Sequence, residues 1–414
     1  MKKSRLILTS VSILLICSIA LSFSSCTTIR AEDLMKDITP NKINVLEDTS
    51  AGDLASTDLA VRLLQAANKD GQSILLSPIS ILYALSMTAN GAKAQTLAQM
   101  EDVLGMTTEE LNLYLYSYMR SIPDIDRYTL SIANSIWFTN ENFNVNQDFL
   151  QTNADYYAAD IYKTKFDKRA VRDVNSWVDK KTDGMIKDLI DEFNPATVMC
   201  LVNALAFEAE WSEPYQKGDV NDEKFTKEDG TKQDAELMYS TESRYISDEN
   251  SSGFIKHYSG HRFAFAAILP NEDISVSEYI NSLDGASLSD MLSNAKNATV
   301  RTSLPKFEFE YGVKLNDVLK TMGMTDAFDP NSADFSGISS GNELYIGEVM
   351  HKTYIQVAEK GTRAGAATAI EMLGKGEPPE EIYEVYLNRP FIYMLIDLQS
   401  NTPLFIGTVM EITN

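Results

Sequence analysis

Glu359-Lys360-Gly361-Thr362-Arg363-Ala364-Gly365-Ala366-Ala367-Thr368-Ala369-Ile370 is a run of small side chains that follows a strand-like stretch and leads into a loop rich in proline and acid. An extended chain turns alternate side chains to opposite faces. Thr362, Ala364, Ala366, Thr368, Ile370 and Met372 then share one face, with Arg363, Glu371 and Lys375 on the other. The first face carries no charge, as a half-buried strand requires. Yet Gly365 and the alanines are poor strand formers, and the segment ends at Leu373-Gly374-Lys375-Gly376, where nothing in the sequence holds it down. Alanine is also the best helix former, so a helix starting after Gly361 competes on local sequence alone. The segment suits two states, and the rest of the chain decides between them.

The 414 residues are 44% apolar and 23% charged, enough for one large core or two smaller ones. Lys2, Lys3 and Arg5 precede an apolar stretch from Leu6 to Leu21, followed by Ser22-Phe23-Ser24-Ser25-Cys26. That is the pattern of a secretory signal, and the run is shorter than the ~20 residues a membrane span needs. The serines before Cys26 resemble a bacterial lipobox, with Phe23 where leucine is usual. The resemblance implies a signal over 1–25 and a lipid on Cys26, which holds the protein to a membrane at the cell surface or envelope. Residues 26–52 are polar and weakly periodic, and are expected to be a flexible tether to a folded body over 53–414.

The formal charge of −23 becomes more negative once the three signal cations are removed, which argues against nucleic acid or anionic lipid as a partner. Cys17 leaves with the signal and Cys26 is the lipid site. Cys200, inside Val198-Met199-Cys200-Leu201-Val202, is then left without a disulfide partner and reads as a small buried apolar residue.

Along the body, Leu59, Leu63, Leu64 and Ala67 mark one helix. A second has Ser77 as N-cap, Pro78 at its first position and Gly91 after its end. Further helices are predicted over 94–104, 109–120, 147–159, 172–189 and 313–322. Val198 to Phe207 is apolar except for Asn203, as in a strand covered on both faces. Val349, His351, Thr353, Ile355 and Val357 form one face of a strand that enters the small-residue segment, and Phe391–Leu398 with Leu404–Met410 read as a terminal hairpin. The chain is α+β with a sizeable sheet.

Over about 53–414 the chain resembles the serpins, a family of serine protease inhibitors. The resemblance rests on Ser77-Pro-Ile-Ser-Ile81, Asn134-Ser-Ile-Trp-Phe138, Leu201-Val-Asn-Ala204 with Trp211, Leu304-Pro-Lys-Phe307, Val349-Met-His-Lys352, Glu359 to Thr368 and Asn388-Arg-Pro-Phe391. It implies three β-sheets, eight or nine helices and an exposed reactive loop over about 359–387. It also implies a target serine protease as covalent partner, a monomer, no cofactor or metal, and no enzymatic activity of its own. In that family the cleaved bond lies fourteen residues past the hinge glycine, so with Gly361 as hinge the resemblance implies Lys375-Gly376 as the reactive bond, which suits a trypsin-like protease. Cleavage at Met372 or Leu373 would instead suit chymotrypsin-, elastase- or subtilisin-like enzymes or cysteine proteases. The charge-free hinge face, with Arg363 on the other parity in place of the family's usual glutamate, favours an inhibitor over a non-inhibitory binding module. No proline precedes Pro378, so the segment keeps its backbone donors.

The resemblance further implies a polar cluster of Ser77, Ser80, Asn203 and His351 under the point where the large sheet opens, and puts Trp211 at the top of that sheet. Asn203 and His351 each interrupt an apolar pattern and are expected to be each other's partners. His257-Tyr-Ser-Gly-His261 has the spacing of two ligands on a helix, but Gly260, the missing glutamate and the strand pattern around it argue against a metal. Three histidines, none beside a G-x-S-x-G turn, argue against a hydrolase.

Overall fold

A strand with no polar face has to be covered on both sides, and that requirement sets the layers of this molecule. The computed structural model describes residues 29–69, 71–123, 125, 127–139, 144–194, 196–340, 344–362 and 381–413. Its strands are β1 (Glu32–Asp33), β2 (Ile74–Leu76), β3 (Tyr128–Thr139), β4 (Asp160–Thr164), β5 (Met199–Glu210), β6 (Val220–Thr226), β7 (Lys232–Ser247), β8 (Ser251–His257), β9 (Phe263–Pro270), β10 (Lys296–Pro305), β11 (Phe307–Lys314), β12 (Glu348–Ala358), β13 (Gly361–Thr362), β14 (Ile382–Tyr386), β15 (Phe391–Asp397) and β16 (Thr402–Val409). The helices among the described residues are α1 (Ser50–Ala67), α2 (Pro78–Ala89), α3 (Ala94–Leu104), α4 (Thr108–Ser121), α5 (Gln147–Tyr157), α6 (Lys168–Lys181), α7 (Val276–Ser282), α8 (Gly285–Ser293) and α9 (Asn316–Thr321).

A seven-stranded sheet runs β1-β4-β3-β5-β13-β12-β11. The apolar run predicted from Val198 is its central strand β5. One face of β5, with Leu201, Leu205 and Phe207, joins the main core. The other, with Cys200, Val202 and Ala204, is covered by Ala170, Val174, Trp177 and Val178 of α6. Helix α2 is buried along its whole length and packs against β3 and β5 on one side and β16 on the other, which is why its sequence is apolar all round. The second network runs β14-β10-β7-β8-β9-β15-β16-β2, with β6 also on β7. The second and third expected sheets are joined in it, because the 16-residue β7 pairs with β6 and β10 along most of its length and with β8 at its end.

Three expectations need correction. The helix predicted over 172–189 spans Lys168–Lys181 and is capped by Asp167, whose carboxylate accepts from the Arg169 and Ala170 N–H groups. It stops where Asp183 and Gly184 take positive φ. The helix predicted over 313–322 covers only Asn316–Thr321, since Val313 and Lys314 still pair with β12. The tether is the third. From Ile29 on it lies along the body: β1 adds to the edge of β4, Leu34, Met35 and Ile38 pack on the core, the Asn41 N–H donates to Asp155 Oδ1 (2.7 Å), and the Leu46 N–H donates to Ser117 Oγ (2.8 Å).

Candidate functional site

The candidate site is the seam between β5 and β12, where the predicted hinge and polar residues fall. From Glu348↔Cys200 to Thr353↔Leu205 the two strands pair directly and in parallel. Higher up they part, and β13 stands between them, antiparallel to both. Gly361 faces Ala358 and Glu210 across the two ladders, and Thr362 faces Val357 and Ala209. Part of the stretch expected to be exposed loop is therefore already strand: Thr362 is 1% exposed, and Gly361 is buried. Gly361 is required by space, because a Cβ there would sit 2.1 Å from the Ala209 carbonyl oxygen and 2.7 Å from Glu210 Cα. At the far end of the expected loop, Ile382–Tyr386 form β14, parallel to β10. Arg363, Ala364, Gly365, Ala366, Ala367, Thr368, the expected reactive bond Lys375-Gly376 and Cys26 lie outside the described residues.

Five contacts hold the hinge. Trp211 donates its backbone N–H to the Lys360 carbonyl (2.8 Å) and its indole N–H to the Ala358 carbonyl (2.9 Å), while the Tyr215 N–H donates to the Glu359 carbonyl (2.9 Å). Trp211 is buried and stacks on Tyr258, centroids 4.4 Å apart and 10° from parallel, and the Tyr258 and Thr362 hydroxyls share a hydrogen bond. Lys306 pairs with both Glu359 (2.5 Å) and Glu236 (2.9 Å). Burial alone would lower its pKa, but hydrogen bonds and charge from the two glutamates outweigh that and hold it above the ordinary lysine value.

The polar cluster lies across the closed part of the seam. Asn134, Asn203 and His351 occupy one cross-strand row on β3, β5 and β12. The Asn203 amide donates to the Ser80 carbonyl and hydroxyl and to Asn134 Oδ1 (2.6 Å), and its Oδ1 meets His351 Nδ1 (2.6 Å). His351 Nε2 accepts from the Ser77 N–H (3.2 Å). These partners assign a neutral ring protonated at Nδ1, and complete burial pushes its pKa down to about 3. All four expected residues thus meet, with two differences. Ser77 joins through its backbone, and its hydroxyl neither caps α2 nor finds a partner. Asn134 was missed, although it too interrupts an apolar strand.

Elsewhere, Cys200 is buried and burial raises its thiol pKa, so it is not an activated nucleophile. His257 and His261 stand with ring centroids 5.5 Å apart at the β8–β9 turn, where burial lowers the His257 pKa.

Residues 54–412 match the family model described as Serpin (serine protease inhibitor). An uncharacterized serpin-like protein of Thermococcus kodakarensis is 31% identical over 351 residues, covering 83% of this chain and 81% of its own. The crystal structure of the thermophilic serpin tengpin in the native state is 46% identical with a TM-score of 0.87, covering 92% of this chain and all of that one. The same protein in the latent state, at 45% identity, 91% of this chain and all of that one, gives 0.78.

Proposed function

Since the chain belongs to the serpin family, we propose that it is a suicide-substrate inhibitor of an extracytoplasmic serine protease. The observation that carries this is the paired position of Gly361 and Thr362, which makes the hinge the first two residues of a strand that can lengthen downward. The protease serine Oγ attacks the Lys375 carbonyl carbon, an ester forms, the Lys375–Gly376 C–N bond breaks, and the Gly376 amine leaves with the proton. The released strand then zips between β5 and β12, drawing the tethered protease along before water cleaves the ester. Each step down the seam exchanges direct β5–β12 pairs for two antiparallel ladders. It also forces Asn203 and His351 apart, so their bond is the catch on the closed seam.

A lysine at the cleaved bond suits a trypsin-like pocket. A signal over 1–25 and a lipid on Cys26 would set the inhibitor at the cell envelope, where secreted proteases are met. The chain from Cys26 on, which keeps the docked segment and the start of α1, is to be mixed separately with trypsin, chymotrypsin, elastase and subtilisin, then read on denaturing gels and by intact mass. The expected result is a band at the summed mass that survives SDS with trypsin, and a released peptide beginning at Gly376. A peptide beginning elsewhere moves the reactive bond. Cleavage without the band overturns inhibition and leaves a loop-presenting binding module.

A further inference from the structure

Lys256 is 2% exposed, the most deeply buried cation among the described residues. It stands on the core-facing parity of β8 between Phe254 and Tyr258. A buried ammonium persists only where partners replace its water. Its Nζ donates to Glu242 Oε1 on β7 (2.9 Å) and to the Glu213 carbonyl (3.2 Å), and lies 4.4 Å from the ring centroid of Tyr215 and 5.5 Å from that of Trp211. Glu242 is itself held by Ser240 Oγ (2.6 Å), which meets Thr302 Oγ1 at 3.0 Å. Apart from Glu242, every partner of the ammonium belongs to Trp211–Tyr215, the segment whose N–H groups hold the carbonyls of Ala358, Glu359 and Lys360.

We propose that Lys256 is a positioning residue for loop insertion, its ammonium anchored on Glu242 and fixing the Trp211–Tyr215 clasp from beneath so that β13 stays seated at the head of the seam. The proposal rests on the inhibitor mechanism above for its functional consequence. Trapping is a race between insertion and deacylation, and a seated hinge starts insertion in register. A loosened clasp delays that start, so more acyl-enzyme hydrolyses and more inhibitor is consumed per protease trapped.

The test uses Lys256→Met, which keeps the stem and removes the charge, and Glu242→Gln, which keeps the shape and weakens the anchor should the first variant fail to fold. Amide hydrogen exchange at Trp211 and Tyr215 reads the clasp directly, and the stoichiometry of trypsin inhibition reads its consequence. Exchange at those two amides is expected to quicken about tenfold while β15 is unchanged. The inhibitor consumed per trypsin trapped rises severalfold, with the rate of loop cleavage unaltered. A merely structural lysine would quicken exchange across the core and leave the stoichiometry of the folded fraction alone, which overturns the proposal, as do unchanged clasp amides in both variants. If the wild type traps no protease, the exchange arm still decides the clasp, and it is the inhibitor function that fails.

Discussion

Thr362 sits with its side chain in the core and its hydroxyl against Tyr258, so an arginine there would have to be buried without a counter-charge. That costs several kcal/mol. Thr362→Arg is therefore expected to expel β13 and convert the inhibitor into a substrate: trypsin should cleave the loop at an undiminished rate with no SDS-stable band, and a full yield of complex would sink the insertion mechanism. His351 gives a second test. Its pKa is about 3 when folded, against an ordinary value near 6.5, so the unfolded chain binds the extra proton first as pH falls. The neutral ring's contribution is complete above about pH 6.5 and is lost between there and about pH 3, at up to about 1.4 kcal/mol per pH unit. Urea unfolding of the wild type and of His351→Gln should show wild-type stability falling more steeply over that window. Parallel pH curves would mean that the ring is not held neutral.

For strands, the ladders of Gly361 and Thr362 set the register that the proposed insertion would follow. Each step along the loop moves one residue back on both neighbours, so after Thr362 the pairings continue as 363 with Gln356 and Glu208, 364 with Ile355 and Phe207, and 368 with His351 and Asn203. On the proposed insertion Ala364 would enter a site walled by Ile355 and Phe207, and Arg363 would come opposite the Glu208 carboxylate on the other face. Ala364→Arg should abolish the covalent complex. Arg363→Glu, which sets like charges opposite each other, should raise the inhibitor consumed per protease only slightly, consistent with a cross-strand term of about 0.2–1 kcal/mol. An unaffected Ala364→Arg would show that the register slips. The parity of β12, the apolar run of β5 and the terminal hairpin were legible in sequence, because each is a local pattern with one period. The end of α6 was not. Ile186, Leu189 and Ile190 continue its apolar rhythm and bury in the same cluster, but from non-helical chain beyond the Asp183-Gly184 turn. Nor was the docking of residues 29–49, which depends on backbone bonds and a few irregularly spaced apolar residues. Asn134, Tyr258 and Lys256 acquire meaning only from partners distant in sequence, although a lysine on the core parity of β8 is a visible anomaly.

In the molecule as a whole, the intact fold leaves β5 and β12 joined by a short parallel ladder although a strand suited to lie between them is present in the same chain. If that strand inserts as proposed, the closed seam is a kinetically held state and not the most stable one. An inserted strand of about ten residues would gain on the order of ten ladder hydrogen bonds at about 1 kcal/mol net each, against the few direct β5–β12 bonds it displaces. At roughly 2 °C per kcal/mol for a chain of this size, nicking the loop with a catalytic trace of protease, then inactivating the protease, should raise the midpoint of thermal unfolding by more than about 10 °C. Thr362→Arg, nicked in the same way, should show no such rise, because its strand cannot seat. The pair of melting curves therefore separates insertion from simple cleavage. A nicked wild type that melts with the intact chain would mean that the seam is already at its most stable, and that this serpin presents its loop without using it.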